Sequence, residues 1–448
     1  MPDKRPTGFA AFTVIWLGQL VSTLGTRMTN FALSIFIWQQ TGRASDLALM
    51  TFAAFLATVV FSPIAGSLID RWNRRLTIVL SDIGSAAATC AILVLFLTGA
   101  AQVWQLYVVN LVTGAFLAFQ APAYASTISV MMAKGHYPRA NAMLSLAQSV
   151  PAIFAPSLAA VLLTVVNIRL VLAIDVASYL LAIATVFLVA IPARPAVEPG
   201  ERESVWRDSL FGFRYILARP GLLGLQGILF AINLFAAMGW ILLTPMVLSR
   251  TGNSSAEVGV VLSLGAVGGV VGGLLIGFLP ATSRKMARML WGIVVFSVLG
   301  RVLLGVGHSL VVWAIAWSVA WLCIPFIDGY GQAIWQEKVA PAVQGRVFAA
   351  RNLMDNLALP LALAIAAPLA DFVLEPAMRR QHGSLAGLFG GIVGTGPGAG
   401  MALVCVFTGL LGVLVAVAGF TIPSVRHVET QLADHDAVPA AEPSMSHE

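Results

Sequence analysis

Residues 66–75, Gly66-Ser-Leu-Ile-Asp70-Arg71-Trp-Asn-Arg74-Arg75, form a charged turn set between two long apolar runs. Each run holds roughly the 20 residues that a helix needs to cross a hydrocarbon layer of about 30 Å, so the turn reads as the link between two membrane spans. Its residue types suit polar contacts between neighbouring helices. Gly66 lets a neighbouring helix come close, and Asp70 can sit at the positive N-terminus of another helix or accept from an arginine. Arg71, Arg74 and Arg75 can grip carboxylates with paired N–H donors.

The rest of the chain reads the same way. Of its 448 residues 58% are hydrophobic and 10% charged, against about 45–50% and 25% in soluble domains, and its mean hydropathy is +0.88. The apolar runs place spans at roughly 9–38, 46–69, 76–98, 103–131, 141–166, 168–191, 221–249, 256–280, 289–307, 310–336, 351–375 and 399–422, an all-α membrane protein of twelve transmembrane helices. The first run has no small-residue cleavage site and exceeds a signal peptide's apolar segment, so it is expected to be a span. The longest polar stretch, Pro192 to Pro220, divides the spans evenly. The expected organisation is a six-helix bundle at 1–191, a cytoplasmic linker at 192–220, a second six-helix bundle at 221–422 and a disordered cytoplasmic tail at 423–448.

Charge sets the expected orientation. With the N-terminus inside, 19 of the 26 Lys and Arg residues fall on the cytoplasmic side and five on the other, leaving Arg27 and Arg301 within spans. That bias follows the positive-inside rule and predicts both termini in the cytoplasm. The net charge of +6 belongs to this lipid-facing basic side, and no basic stretch is interleaved with aromatics as nucleic-acid binding would need. Cys90, Cys323 and Cys405 lie in apolar runs without ligand spacing, so neither a disulfide, a metal site nor a cofactor is expected. An offset of 210 residues carries Thr41-Gly42 onto Thr251-Gly252 and Arg74-Arg75 onto Arg284-Lys285, as expected of two halves in parallel repeat.

The decamer at 66–75 resembles the signature G-x-L-x-D-R-x-x-R-R of the major facilitator superfamily, with every signature position filled. The resemblance implies two six-helix bundles around a central cavity, alternating access, and a conformational latch made of Gly66, Asp70, Arg71, Arg74 and Arg75. In the second half Pro280 stands where the aspartate would, so that latch is degenerate. Pro151-Ala-Ile-Phe-Ala155-Pro156-Ser-Leu-Ala159-Ala160 is similar to the antiporter motif G-x-x-x-G-P-x-x-G-G with its glycines replaced, and its small residues suit tight helix packing. Ala367-Pro-Leu-Ala-Asp371, Leu374-Glu-Pro-Ala-Met378, Gly345-Arg-Val-Phe348 and the GTGPGAG run at 394–400 look like segments of the drug:proton antiporter branch that holds macrolide and enterobactin-type exporters. GTGPGAG beside a span lacks the strand-then-helix setting of a phosphate loop, so no nucleotide is expected there.

Ionisable groups inside a membrane are costly and usually face a partner or a watery cavity, which makes them the site candidates. Arg27 in the first span and Asp175 in the sixth lie at matching depths, and are expected to pair directly or through substrate, with Asn30 on the same helix face as Arg27. Asp328 in the tenth span is the expected acidic proton carrier of the second half. Arg301 and Asp371 are near the outer surface and are read as snorkelling. Where many proton-coupled relatives carry a relay arginine in the fourth span, this chain has Asn110, which leaves proton transfer to Asp175 or Asp328. Phe31, Gln120, Tyr124, Asn233, Trp240 and Asn356 supply candidate cavity contacts.

Neither HExxH nor GxSxG occurs, so an enzyme is not expected. The expected protein is a monomeric secondary transporter of the inner membrane, exporting an amphipathic drug, macrolide or siderophore-like metabolite in exchange for protons. The alternative is an importer or uniporter of a small solute or lipid on the same fold.

Overall fold

The computed structural model describes residues 8–69, 74–131, 137–189, 205–280, 282, 284–380 and 383–431. All regular structure among them is helical. The first six spans are α1 (Gly8–Thr41), α2 (Ala44–Ile69), α3 (Arg74–Thr98), α4 (Val103–Met131), α5 (Tyr137–Val165) and α6 (Ile168–Leu188). A shorter α7 (Val205–Leu217) leads to α8 (Pro220–Arg250), α9 (Ser255–Phe278), α10 (Lys285–Val306), α11 (Leu310–Lys338) and α12 (Val343–Arg379). The short apolar α13 (Ser384–Val393) precedes the last span, α14 (Ala399–Thr421). Twelve of these helices are long and apolar enough to cross a membrane.

Large apolar side chains cover the outside, among them Leu97, Trp104, Val165, Leu180, Leu188 and Leu414, all more than half exposed. In water such a surface would aggregate, whereas in lipid it is the solvated face. Because lipid removes the hydrophobic drive between helices, small residues decide which spans touch. A Cβ on Gly268 or Gly272 of α9 would collide with the backbone of Ser318 or Leu322 in α11, and one on Gly114 of α4 would meet Ala54 of α2. The same partners recur in both halves: α2 packs on α4 as α9 packs on α11, and α3 packs on α6 as α10 packs on α14. The repeat extends to backbone detail, since Gly42 and Gly252 turn with φ 62° and 61°, a conformation open chiefly to glycine.

The two ends of the molecule differ. At the end that holds Gly42, Gly252 and the α5–α6 turn, both halves share one continuous core, running through Phe31, Ile37 and Leu172 to Leu243, Trp317 and Leu403. Toward the Arg75 end the core splits into one cluster within the first half, around Phe12 and Ile78, and another within the second, around Phe296 and Trp335. Among the described residues, the hydrogen bonds joining the halves lie toward the Gly42 end: Trp38 Nε1 donates to Asn253 Oδ1 at 2.9 Å, and Ser157 Oγ lies 2.8 Å from Ser263 Oγ. Among the described residues, the halves are joined at the Gly42 end and share no core cluster toward the other.

Two polar segments differ from expectation. The 192–220 stretch contains α7, whose Phe213 and Ile216 reach the core of the second half because they share one face of an amphipathic helix. The 423–448 tail is ordered at least to Gln431. Val425 and Val428 are buried there, and Glu429 accepts from the backbone N–H groups of Lys285 and Met286 at 2.9 and 3.3 Å, capping α10.

Candidate functional site

The helices that meet between the halves enclose a cavity of about 970 Å³. The first half lines it with Arg27, Asn30 and Phe31 of α1, Asn110 of α4, and Gln148 and Ser149 of α5. The second half faces them with Trp240 and Thr244 of α8 and with Trp317 and Trp321 of α11. Polar donors thus stand on one wall and indole rings on the other, a combination suited to an apolar body with a polar end. Arg27 is the only ionisable side chain in this lining among the described residues. Its Nη2 donates to Gln148 Oε1 at 3.1 Å, while Asn110 donates to Leu106 O of its own helix.

Asp175 is not Arg27's partner. It is fully buried inside the first bundle, with Thr26 Oγ1 3.3 Å from one carboxylate oxygen and Thr89 Oγ1 3.4 Å from the other. Thr26 Oγ1 also lies 2.8 Å from the Tyr179 hydroxyl. Matching depth is not sufficient for pairing: successive helical residues are rotated by about 100°, so Thr26 faces Asp175 and Arg27 faces the cavity.

A second carboxylate, Asp82 of α3, was not anticipated. It is also fully buried, accepting from Gln19 Nε2 at 2.9 Å and Gln120 Nε2 at 2.5 Å. Gln120 therefore belongs to this interior network and not to the cavity. Tyr124 likewise stacks on Phe12 at 6.3 Å. Two aspartates buried among neutral donors, with no cation bonded to either among the described residues, form a polar seam through α1, α3 and α6. The available signal was a lone carboxylate within an otherwise apolar run.

In the second half Asp328 is exposed one turn beyond the cavity residues Ile324 and Pro325, within electrostatic reach of Arg351 and Asp355. Those two form an ion pair at 3.5 Å, and Asp355 also accepts from Gln226 Nε2 at 2.8 Å. Asn233 and Asn356 lie outside the cavity lining, whereas Phe31 and Trp240 are part of it.

Arg301 and Asp371 do not snorkel. Each sits in a π-helical segment, Phe296–Val302 and Leu369–Leu374, whose extra residue re-aims the side chain inward. Arg301 is 2% exposed, donates to Ala236 O at 2.7 Å, and lies 4.9 Å from the Phe296 ring centre and 5.2 Å from that of Trp317. Its Nε and Nη1 have no hydrogen-bond partner among the described residues. Asp371 crosses between halves to cap α2, accepting from the backbone N–H groups of Ala44 at 3.1 Å and Ser45 at 2.7 Å, and from Ser45 Oγ at 2.6 Å. Glu375, one turn on, accepts from Gly398 N and Gly400 N at 2.7 and 2.8 Å and pairs with Arg379 at 3.1 Å. The GTGPGAG amides that a phosphate would need are thus bonded to a carboxylate of the same chain.

Of the decamer, Asp70 and Arg71 lie outside the described residues, as does the side chain of Arg74, and Gly66 is described only by its helical backbone. Arg75 donates to Phe187 O at 3.0 Å and stacks over the Phe187 ring. In the α5 motif, Ala155, Ala159 and Ala160 are buried, and α5 meets α9 of the other half so closely that a Cβ on Gly259 would stand 2.9 Å from Ala160 Cβ and 3.0 Å from Pro156 O.

Comparison with known proteins agrees with this architecture. Macrolide efflux protein A of Streptococcus pyogenes is 25% identical over 363 residues, covering 80% of this chain and 89% of that protein. Multidrug efflux pump Tap of Mycolicibacterium fortuitum is 25% identical over 370 residues, with 80% and 88% covered. Among solved structures, a bacterial homologue of the human lysosomal transporter Spinster, inward-facing and unoccupied, aligns with a TM-score of 0.67 at 16% identity, over 94% of this chain and 97% of that one. The model of the Major Facilitator Superfamily matches residues 15–363. With twelve spans in two repeated bundles around a lined cavity, this chain belongs to the Major Facilitator Superfamily and is a transporter, not an enzyme.

Proposed function

We propose that the chain exports an amphipathic small molecule, of the drug, macrolide or siderophore-like kind, across the inner membrane by alternating access in exchange for protons. The observation that carries this reading is the cavity of about 970 Å³ between halves that, among the described residues, share a core at one end only. Such a cavity takes up a ligand of drug size from one side and presents it to the other once the shared core parts and the opposite cores meet. The efflux activity for which these relatives are named supports export. The basic bias puts the Arg75 end in the cytoplasm, so the parted end is the loading side. The 66–75 decamer is then the cytoplasmic latch of the opposite, outward-open state.

Proton coupling is assigned to the buried carboxylates. Asp82 and Asp175 have neutral partners, and a carboxyl held that way in a membrane interior gains or loses a proton at the expense of its surroundings. Asp328 is the candidate on the loading side. The test is proton and substrate movement in proteoliposomes under an imposed pH gradient, for the wild type and for Asp82→Asn, Asp175→Asn and Asp328→Asn. Substrate-triggered proton flux that is lost in one variant with normal folding names the carrier. Substrate movement indifferent to the gradient overturns antiport and leaves a uniporter, and three fully active variants remove the carboxylates from the mechanism.

A further inference from the structure

The walls of the cavity hold one ionisable side chain among the described residues, and it is a cation. A guanidinium offers five N–H donors, and the contact recorded for Arg27 is a neutral amide oxygen, Gln148 Oε1 at 3.1 Å. Two buried carboxylates of the first bundle bond elsewhere, Asp175 to hydroxyls and Asp82 to the amides of Gln19 and Gln120. Behind the opposite wall a second cation, Arg301, lies 5.2 Å from the ring centre of Trp317, itself a lining residue, and its recorded partners are a carbonyl and aromatic faces. Asp328, an acid on the loading side, lies outside the lining and within electrostatic reach of Arg351 and its ion-pair partner Asp355. The lining thus carries one positive charge and, among the described residues, no fixed anion to balance it.

We infer that the cargo is an amphipathic anion whose acidic group binds Arg27, flanked by Asn30 and Gln148, while its apolar body lies against Trp240, Trp317 and Trp321. This inference deepens the export reading and rests on its cavity. A carboxylate or sulfonate on Arg27 makes a charge-assisted, bidentate contact in a site of low dielectric, and an ammonium in the same place meets repulsion from both arginines. Charge selection of this kind narrows the export reading to its anionic candidates and sets aside cationic drugs and amine-bearing macrolides.

Two fluorescent probes of the same ring system test it: anilinonaphthalene sulfonate, an anion, and phenylnaphthylamine, its neutral counterpart. Binding to the full chain in lipid nanodiscs is read by energy transfer from tryptophan, with empty discs subtracted. Arg27→Gln is expected to weaken the anion by about tenfold or more and to leave the neutral probe within about twofold, with Arg27→Lys recovering part of the anion's affinity. Trp240→Ala, which removes a shared apolar surface from an exposed position, is expected to weaken both probes. If Trp240→Ala weakens both probes and Arg27→Gln changes neither, the anion assignment is overturned and the cavity reading stands. If neither variant affects either probe, the cavity is not the binding site and both readings fall.

Discussion

A buried guanidinium with two nitrogens unpartnered among the described residues is an expensive thing to keep, and Arg301 keeps it inside the second bundle. Its carbonyl bond and ring contacts offset part of the desolvation. Replacing a poorly paired buried charge by an apolar side chain of similar volume is often stabilising, so Arg301→Met is expected to raise unfolding stability by about 1–2 kcal/mol. Thermal unfolding in detergent measures this, and a lower melting temperature would mean that the ring contacts outweigh the desolvation. At this scale the sequence was a partial guide. Depth along a helix could be counted, which placed Arg27 and Asn30 correctly on one face, but the rotation that separates Arg27 from Asp175 depends on which helix lies beside α1. Asp82 passed unnoticed because its partners, Gln19 and Gln120, are distant in the chain. Arg301 and Asp371 were misplaced because π-helical segments break the regular count from which their depth was read.

Among the elements, spans that start at the Gly42 end show how one helix terminus became an interface. α6, α9 and α11 are capped locally by Asn167, Ser254 and Ser309, whose side chains accept from backbone N–H groups three residues on. α2 is capped instead by Asp371 from the other half. A cap of this kind is worth about 0.5–2 kcal/mol, and here it acts only while the end is closed. Asp371→Asn, which removes the charge and one acceptor, is expected to shift the population several-fold toward the state open at that end. Distances between spin labels at Gln102 and Gly396 would lengthen, and an unchanged distribution would deny Asp371 a part in closure. α9 carries a different constraint. Gly268 and Gly272 press on the α11 backbone, so Gly268→Leu forces the pair apart, with an expected loss of about 3 kcal/mol or more and failure to accumulate folded protein. Measured expression and unfolding close to wild type would show that α9 and α11 can slide. The apolar runs located these helices to within a few residues, save the start of α12, expected at 351 and found at Val343, because length and composition alone decide what crosses a bilayer. The ordered parts of the linker and tail were hidden because their burial depends on surfaces that exist only in the folded second half.

For the molecule as a whole, the closed end can be locked. Ser157 and Ser263 place their hydroxyl oxygens 2.8 Å apart across the two halves, so cysteines at both positions suit a disulfide. Oxidising the Ser157→Cys, Ser263→Cys double variant is expected to stop transport, and reductant to restore it; continued transport by the oxidised protein would place the moving interface elsewhere. The repeat that organises this motion was visible in two glycine turns and two basic pairs, but which end would be closed was not, since that depends on the contacts of all twelve spans together. The division of the cavity into a hydrogen-bonding wall from one half and an indole wall from the other has a consequence for passage itself. A two-faced guest seated between them has one way round that satisfies both walls, and the rocking of rigid halves supplies no occasion to tumble. It leaves by the far door still facing the way it came in, so a bulky tag is tolerated or refused according to which face of the guest bears it, whatever its size.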